Sequence, residues 1–148
     1  MAESRSYHIE VLNLDDAARV RRCFGVFAFL RPHLDEPTFI RRLRIQSAQG
    51  YAVAYIELDG EVCAAAGYRV ADFLAWGKVF YIDDLITHPE KTKQGLGGAL
   101  MDWLLQQAKL QGCDEVHLDT GFQRHDAHRL YLNKGFSLSC HHMSMRLT

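Results

Sequence analysis

The chain has 148 residues, a mass of 16.9 kDa and a net charge of -1, with 48% hydrophobic and 24% charged residues. These values describe one globular domain over residues 1–148 and exclude a disordered chain, a collagen and a disulfide scaffold. No apolar run reaches the roughly 18 residues of a membrane span, and the start, Met-Ala-Glu-Ser-Arg, has no basic stretch followed by an apolar one, so a cytoplasmic protein is expected.

Residues 6–12 read as a first strand. Asp15-Asp16 caps a helix to about Leu30, with Ala18, Val20, Cys23, Phe24, Phe27 and Leu30 on its apolar side and Pro32 closing it. Asp35 to about Ser47 reads as a second helix, with Pro37 near its first helical position. Residues 51–58 and 61–70 are rich in Val, Ile, Tyr and Ala, and Asp59-Gly60 between them is a two-residue hairpin signal. Residues 78–87 form another strand, stopped by Pro89. Leu96, Leu100, Trp103, Leu104 and Ala108 then recur at helical spacing before Gly112, which suits a C-terminal cap. Residues 115–120 alternate as a strand, residues 125–134 as a short helix ended by Gly135, and residues 136–147 read as a final hairpin. The order β-α-α-β-β-β-α-β-α-β-β predicts an α/β (α+β) fold, a mixed, mostly antiparallel sheet of six to seven strands with helices on both faces.

The first fifty residues carry +2 and the remainder -3, which lacks the basic excess of a nucleic-acid binder. The run Arg41-Arg42-Leu43-Arg44 reads as a solvated helix face. Cys23, Cys63, Cys113 and Cys140 are too widely spaced for a CxxC motif and are expected as reduced thiols. His125 with His128, and His141-His142, lack a third ligand at convincing spacing, so no metal is expected.

Three segments could carry chemistry. The first, Lys91-Thr92-Lys93-Gln94-Gly95-Leu96-Gly97-Gly98-Ala99, lies between a strand end and a helix. Its glycines allow close approach of a ligand, and the N–H groups of a first helical turn bind anions; the same residues also make an ordinary tight turn. It lacks the Gly-Lys-Ser/Thr of a Walker loop and the third glycine of a dinucleotide fingerprint. The second is Asp83-Asp84, in a strand apolar on both alternating sets, where carboxylates need partners or solvent. Consecutive strand residues point to opposite faces, so at most one is expected to line a given cleft; each could equally sit in a structural hydrogen-bond network. The third is Tyr131, a core tyrosine or a proton donor with an ordinary pKa near 10.

Together these segments resemble the GNAT superfamily of N-acetyltransferases over the order of elements and most sharply from Tyr81 to Phe136. Pro89, Gly95 and Gly97 fall in register with the family's Arg/Gln-x-x-Gly-x-Gly/Ala, although Thr92 takes the Arg/Gln position. Leu130-Tyr131-Leu132-Asn133-Lys134-Gly135-Phe136 is similar to the family's Leu-Tyr-x-x-x-Gly-Phe, while Arg124 replaces an asparagine common before that helix. The resemblance implies acetyl-CoA as cosubstrate, with its pantetheine on Leu85, Ile86 and Thr87 and its pyrophosphate on Lys93, Gln94, Gly95, Leu96, Gly97 and Gly98. It further implies Asp83 or Asp84 as the base for a primary amine and Tyr131 as the acid for the leaving thiolate. Asp83 is similar to the glutamate that polyamine acetyltransferases place on this strand. A small-molecule amine is the expected acceptor, with neither nucleic acid nor membrane as a partner and a homodimer as a family-level expectation. An acyl-CoA-binding module without turnover and a protein or peptide N-acetyltransferase are the rival readings.

Overall fold

The computed structural model describes residues 6–148. The elements are β1 (Glu10–Val11), α1 (Ala17–Leu30), α2 (Glu36–Ala48), β2 (Ala52–Leu58), β3 (Glu61–Phe73), β4 (Gly77–Thr87), a 3-10 turn (Pro89–Lys91), α3 (Leu96–Leu110), β5 (Glu115–Leu118) and α4 (His125–Asn133). The chain divides into two compact units, one ending at His117 and the other spanning Leu118–Thr148.

Local chemistry sets most boundaries. The Asp16 and Asp35 side chains accept from the N–H groups of Arg19 (3.1 Å) and Thr38 (2.8 Å), satisfying donors that each helix start leaves open. Pro37 sits in the first turn of α2, where its missing N–H removes nothing. Asp59 (φ 53°) and Gly60 (φ 77°) turn β2 into β3 with positive φ at both positions, as a two-residue hairpin of this twist requires.

The sheet order is β1-β2-β3-β4-β5, with antiparallel pairing from β1 through β4. Val20, Cys23, Val26 and Phe27 of α1 and Phe39 and Leu43 of α2 pack with Val53, Tyr55, Val62 and Ala65 on one face. The alternate residues Ala54 and Ile56 are fully buried too, and α3 buries Leu96, Leu100, Met101, Leu104 and Ala108. Trp103 meets Tyr68 of β3 edge-on at 6.0 Å, so both faces of the sheet are covered.

The sheet has five strands among the described residues, not six to seven. Residues 136–148 form no strand, and Leu138, Met143, Met145 and Leu147 are exposed. The expected hairpin had alternation but no turn: Ser139-Cys140-His141-His142 offers none of the Gly, Asn or Asp that accept positive φ. The first strand is likewise only Glu10–Val11, and β5 ends at Leu118. No helix among the described residues is long and apolar enough to cross a membrane. All four cysteines are free, and burial pushes the Cys23 thiol up to about 12, which keeps it protonated.

Candidate active site

β3 and β4 pair regularly until the ladder slips: Gly67 opposes Asp84, but Tyr68 opposes Ile82. Asp83 is the extra residue of a β-bulge, which interrupts the strict alternation of side chains. The expectation that Asp83 and Asp84 point apart to opposite faces is therefore corrected; the structure joins them in one polar cluster. Arg69 grips Asp83 from the side, with Nε 3.1 Å from both carboxylate oxygens and Nη2 2.6 Å from Oδ2. Arg31, the residue after α1, donates to Asp84 Oδ1 from Nε (3.1 Å) and Nη2 (2.8 Å), and Nη2 also reaches the Asp83 carbonyl at 3.3 Å. The Tyr51 hydroxyl donates to Asp84 Oδ2 at 2.6 Å, and the Arg69 guanidinium lies 5.4 Å from the centre of the Tyr51 ring.

Gly67 makes this arrangement possible. A Cβ there would lie 1.6 Å from the Tyr51 hydroxyl and 2.2 Å from its ring, so any side chain would evict the phenol from Asp84. Burial pushes the Asp83 carboxyl above its ordinary value, against the Arg69 hydrogen bonds that pull it down. Burial and the Asp84 charge hold the Tyr51 phenol far above its ordinary range, so it stays a donor. Sequence reasoning found the two aspartates and missed Arg31, Arg69, Tyr51 and Gly67. Two of them left a trace: Arg69, an arginine in an otherwise apolar strand whose charge needs a partner, and Gly67, a glycine inside a strand, which marks a bulge or a close approach.

Beyond the bulge, Leu85, Ile86 and Thr87 pair in the ladder with Ala66, Ala65 and Ala64. His88 follows, its Nδ1 accepting from the Glu90 N–H at 3.1 Å to close the 3-10 turn. Lys93 (φ 63°) and Gly95 (φ 76°) adopt the left-handed conformation, and the Tyr7 hydroxyl donates to the Gln94 carbonyl at 2.5 Å. Gly95 is the N-cap of α3 and offers no side-chain acceptor, so the N–H groups opening the helix at Leu96, Gly97 and Gly98 lack the capping bond that α1 and α2 receive. Leu96 is buried and anchors the turn, while Lys93 and Gly95 are exposed. Free donors, a helix N-terminus and a lysine suit the phosphates of a nucleotide-type ligand.

Tyr131 belongs to the second unit. It is 6% exposed, and its ring meets Phe136 edge-on at 5.9 Å. Burial raises the phenol's pKa, opposed by the charge of Arg124 and its side-chain hydrogen bond. The arginine that departs from the family's pattern is thus the partner of the tyrosine that keeps to it. In the same unit His128 Nε2 lies 2.7 Å from the Gly121 carbonyl and its ring meets His125 edge-on. No group of three or more His, Cys, Asp or Glu side chains that could hold a metal occurs among the described residues.

Comparison with known proteins agrees with this architecture. The uncharacterized N-acetyltransferase YhdJ of Bacillus subtilis (strain 168) is 29% identical over 117 residues, 78% of this chain and 82% of that protein. The aminoalkylphosphonate N-acetyltransferase of Salmonella typhimurium is 34% identical over a shorter stretch of 58 residues, 39% of this chain and 38% of that protein. In fold, the chain is similar to a transcriptional regulator from Bacillus halodurans C-125, with a TM-score of 0.80 at 22% identity, covering 95% of this chain and all of that one. The family model for the acetyltransferase (GNAT) family matches residues 14–136, a span that runs from ahead of α1 through the bulged strand, the uncapped helix and Tyr131, and the chain belongs to that family.

Proposed function

We propose that this protein is an acetyl-CoA-dependent N-acetyltransferase acting on a primary amine of a small molecule by direct attack. The observation that carries the reading is the course of the chain from the half-buried Asp83 carboxylate at the β4 bulge, through the 3-10 turn, to the uncapped start of α3. The N–H groups at Leu96, Gly97 and Gly98, with Gln94, Gly95 and Lys93 beside them, receive the pyrophosphate. Leu85, Ile86 and Thr87 hold the pantetheine arm through backbone groups, in the manner of an added strand. Acetyl-CoA supplies an activated thioester. A backbone N–H near Ile86 stabilises the negative charge that grows on its carbonyl oxygen. Asp83 takes the proton of the substrate ammonium through water, because its carboxyl is shifted upward by burial and carries free lone pairs beyond the Arg69 fork. Asp84, bound by both Arg31 and Tyr51, is the alternative base. As nitrogen bonds to the acetyl carbon and the carbon–sulfur bond breaks, Tyr131 gives its proton to the departing thiolate. No covalent enzyme intermediate is needed, and the buried, protonated Cys23 offers none.

The Salmonella relative is named for acetylating aminoalkylphosphonates, which supports a small acceptor over a protein. A steady-state assay of CoA release with a panel of amines and peptides tests the reading. Release with a small amine is the expected outcome. Acetyl-CoA binding with no release would make the protein a non-turnover module, and release with peptides alone would make it a protein N-acetyltransferase.

A further inference from the structure

We infer that the acceptor bound beside Asp83 and Asp84 is a primary amine that also carries a carboxylate or phosphonate, held by the outward edges of Arg31 and Arg69. This inference rests on the acetyl-transfer reading and names the substrate class of that same site. A polyamine site needs carboxylates whose charge is uncompensated. Here the charges cancel, since Arg69 forks Asp83 and Arg31 holds Asp84. A second ammonium would meet two guanidiniums as closely as two carboxylates and would gain nothing. A zwitterionic amine matches both signs, its ammonium toward the aspartates and its acid group toward the arginines.

The geometry of the forks favours this use. Both arginines spend Nε and Nη2 on the aspartates, Arg31 Nη2 on the Asp83 carbonyl as well, and Nη1 of neither donates to any described residue. Pairing along one side fixes the guanidinium plane and leaves the far edge for a planar or tetrahedral anion, as a fork of Nη1 and Nη2 in Arg69 and as Nη1 alone in Arg31. Arg69 is further fixed by the Tyr51 ring beneath it. Arg31 is the most open member of the cluster, its side chain 42% exposed against 14% for Asp84, which makes it the first group an entering anion meets. It also contacts both aspartates, so an anion on its far edge lies one guanidinium away from where the amine must lose its proton.

The wild-type protein with acetyl-CoA is assayed for CoA release using β-alanine, aminoethylphosphonate, propylamine and diaminopropane. The acid-bearing amines are expected to exceed the other two in kcat/KM by roughly ten- to a hundredfold, the effect of one hydrogen bond between charged partners. The first two acceptors against each other tell carboxylate from phosphonate. Arg31→Gln should raise KM for the acid-bearing amines far more than for propylamine, collapsing the preference, and Arg31→Lys should restore part of it. A wild-type preference for propylamine or diaminopropane overturns the inference, as does an Arg31→Gln variant that melts normally and changes every KM alike. The wild-type ranking decides even if the variant fails to fold. Absence of CoA release with all four acceptors and with peptides overturns the acetyl-transfer reading and this one with it, whereas a reversed ranking overturns the substrate class alone.

Discussion

The acidic cluster on β4 and the turn before α3 lie on one continuous stretch of chain and are built on opposite principles. In the cluster, Asp83 and Asp84 are each held by an arginine, and the Tyr51 hydroxyl completes the shell around Asp84. Its charges are satisfied before any ligand arrives. In the turn, Gly95 leaves the start of α3 without a side-chain cap, and Lys93 and Gly95 hold left-handed backbone to shape the approach. Among the described residues no side chain caps its donors, which leaves them for solvent or a ligand. Damage to the cluster should therefore register in the stability of the free protein, and damage to the turn only when the cosubstrate is present.

Tyr131 stands outside both regions and should give the largest effect. Tyr131→Phe is expected to keep acetyl-CoA binding and lose roughly two to four orders of magnitude in turnover, the range for a positioned acid. The ring stays against Phe136, so the fold survives. Near-normal turnover in a less stable protein would return Tyr131 to a packing role.

Asp83→Asn asks whether the cluster also does chemistry. A base must be deprotonated to act, and burial raises the Asp83 pKa, so wild-type turnover should fall with acid before an ordinary carboxylate would titrate. The variant should lack that limb and lose roughly a hundredfold or more at pH 7, the general-base range, with a smaller loss at pH 9, where more of the amine is already neutral. Equal losses at both pH values would leave Asp83 a structural partner of Arg69. If Asp84→Asn alone shows the pattern, the base is the neighbour.

Gly97→Glu tests the turn directly. Acetyl-CoA at a hundredfold its Kd should stabilise the wild-type protein by about 2.7 kcal/mol, and the variant should lose that shift by setting charge and bulk against the pyrophosphate. The free variant should melt no lower, because a carboxylate near a helix N-terminus is favourable and glycine is a poor helix residue. A retained shift would move the phosphates elsewhere; a lower melting point in the free variant would erase the contrast between the two regions.

How much of this was legible in the sequence depends on chain distance. The caps at Asp16 and Asp35 and the Asp59-Gly60 turn act within a few residues, and the structure repeats them nearly as read. The GNAT-like order of elements followed from the same local signals. Arg31 and Tyr51 stand 53 and 33 residues from Asp84, so nothing in their own neighbourhoods marks them as its partners. The bulge was hidden for another reason: β4 carries no internal glycine or proline where the register slips, and the slip is defined only by pairing with β3. The final hairpin failed in reverse, since alternating apolar residues suggest a strand but cannot supply the turn or the partner.

Gly67→Ala gives the smallest effect and the sharpest view of the cluster. The added methyl would overlap the Tyr51 hydroxyl and ring, so the phenol must leave Asp84 or the strands must part. Overpacking of this kind costs about 1–3 kcal/mol, and losing the hydroxyl's bond to a carboxylate falls in the same range. The free protein should therefore melt lower, while acetyl-CoA still stabilises it, the reverse of Gly97→Glu. The clash is with Tyr51, so the cost should be conditional on that side chain. In a Tyr51→Ala background the space is already empty, and Gly67→Ala should then cost little or even stabilise, because alanine loses less backbone entropy than glycine in a strand. Tyr51→Phe lies between: the hydroxyl is gone but the ring still fills the position over Gly67, so the methyl should remain costly. Equal penalties for Gly67→Ala in all three backgrounds would mean that the glycine serves the bulged backbone rather than the tyrosine.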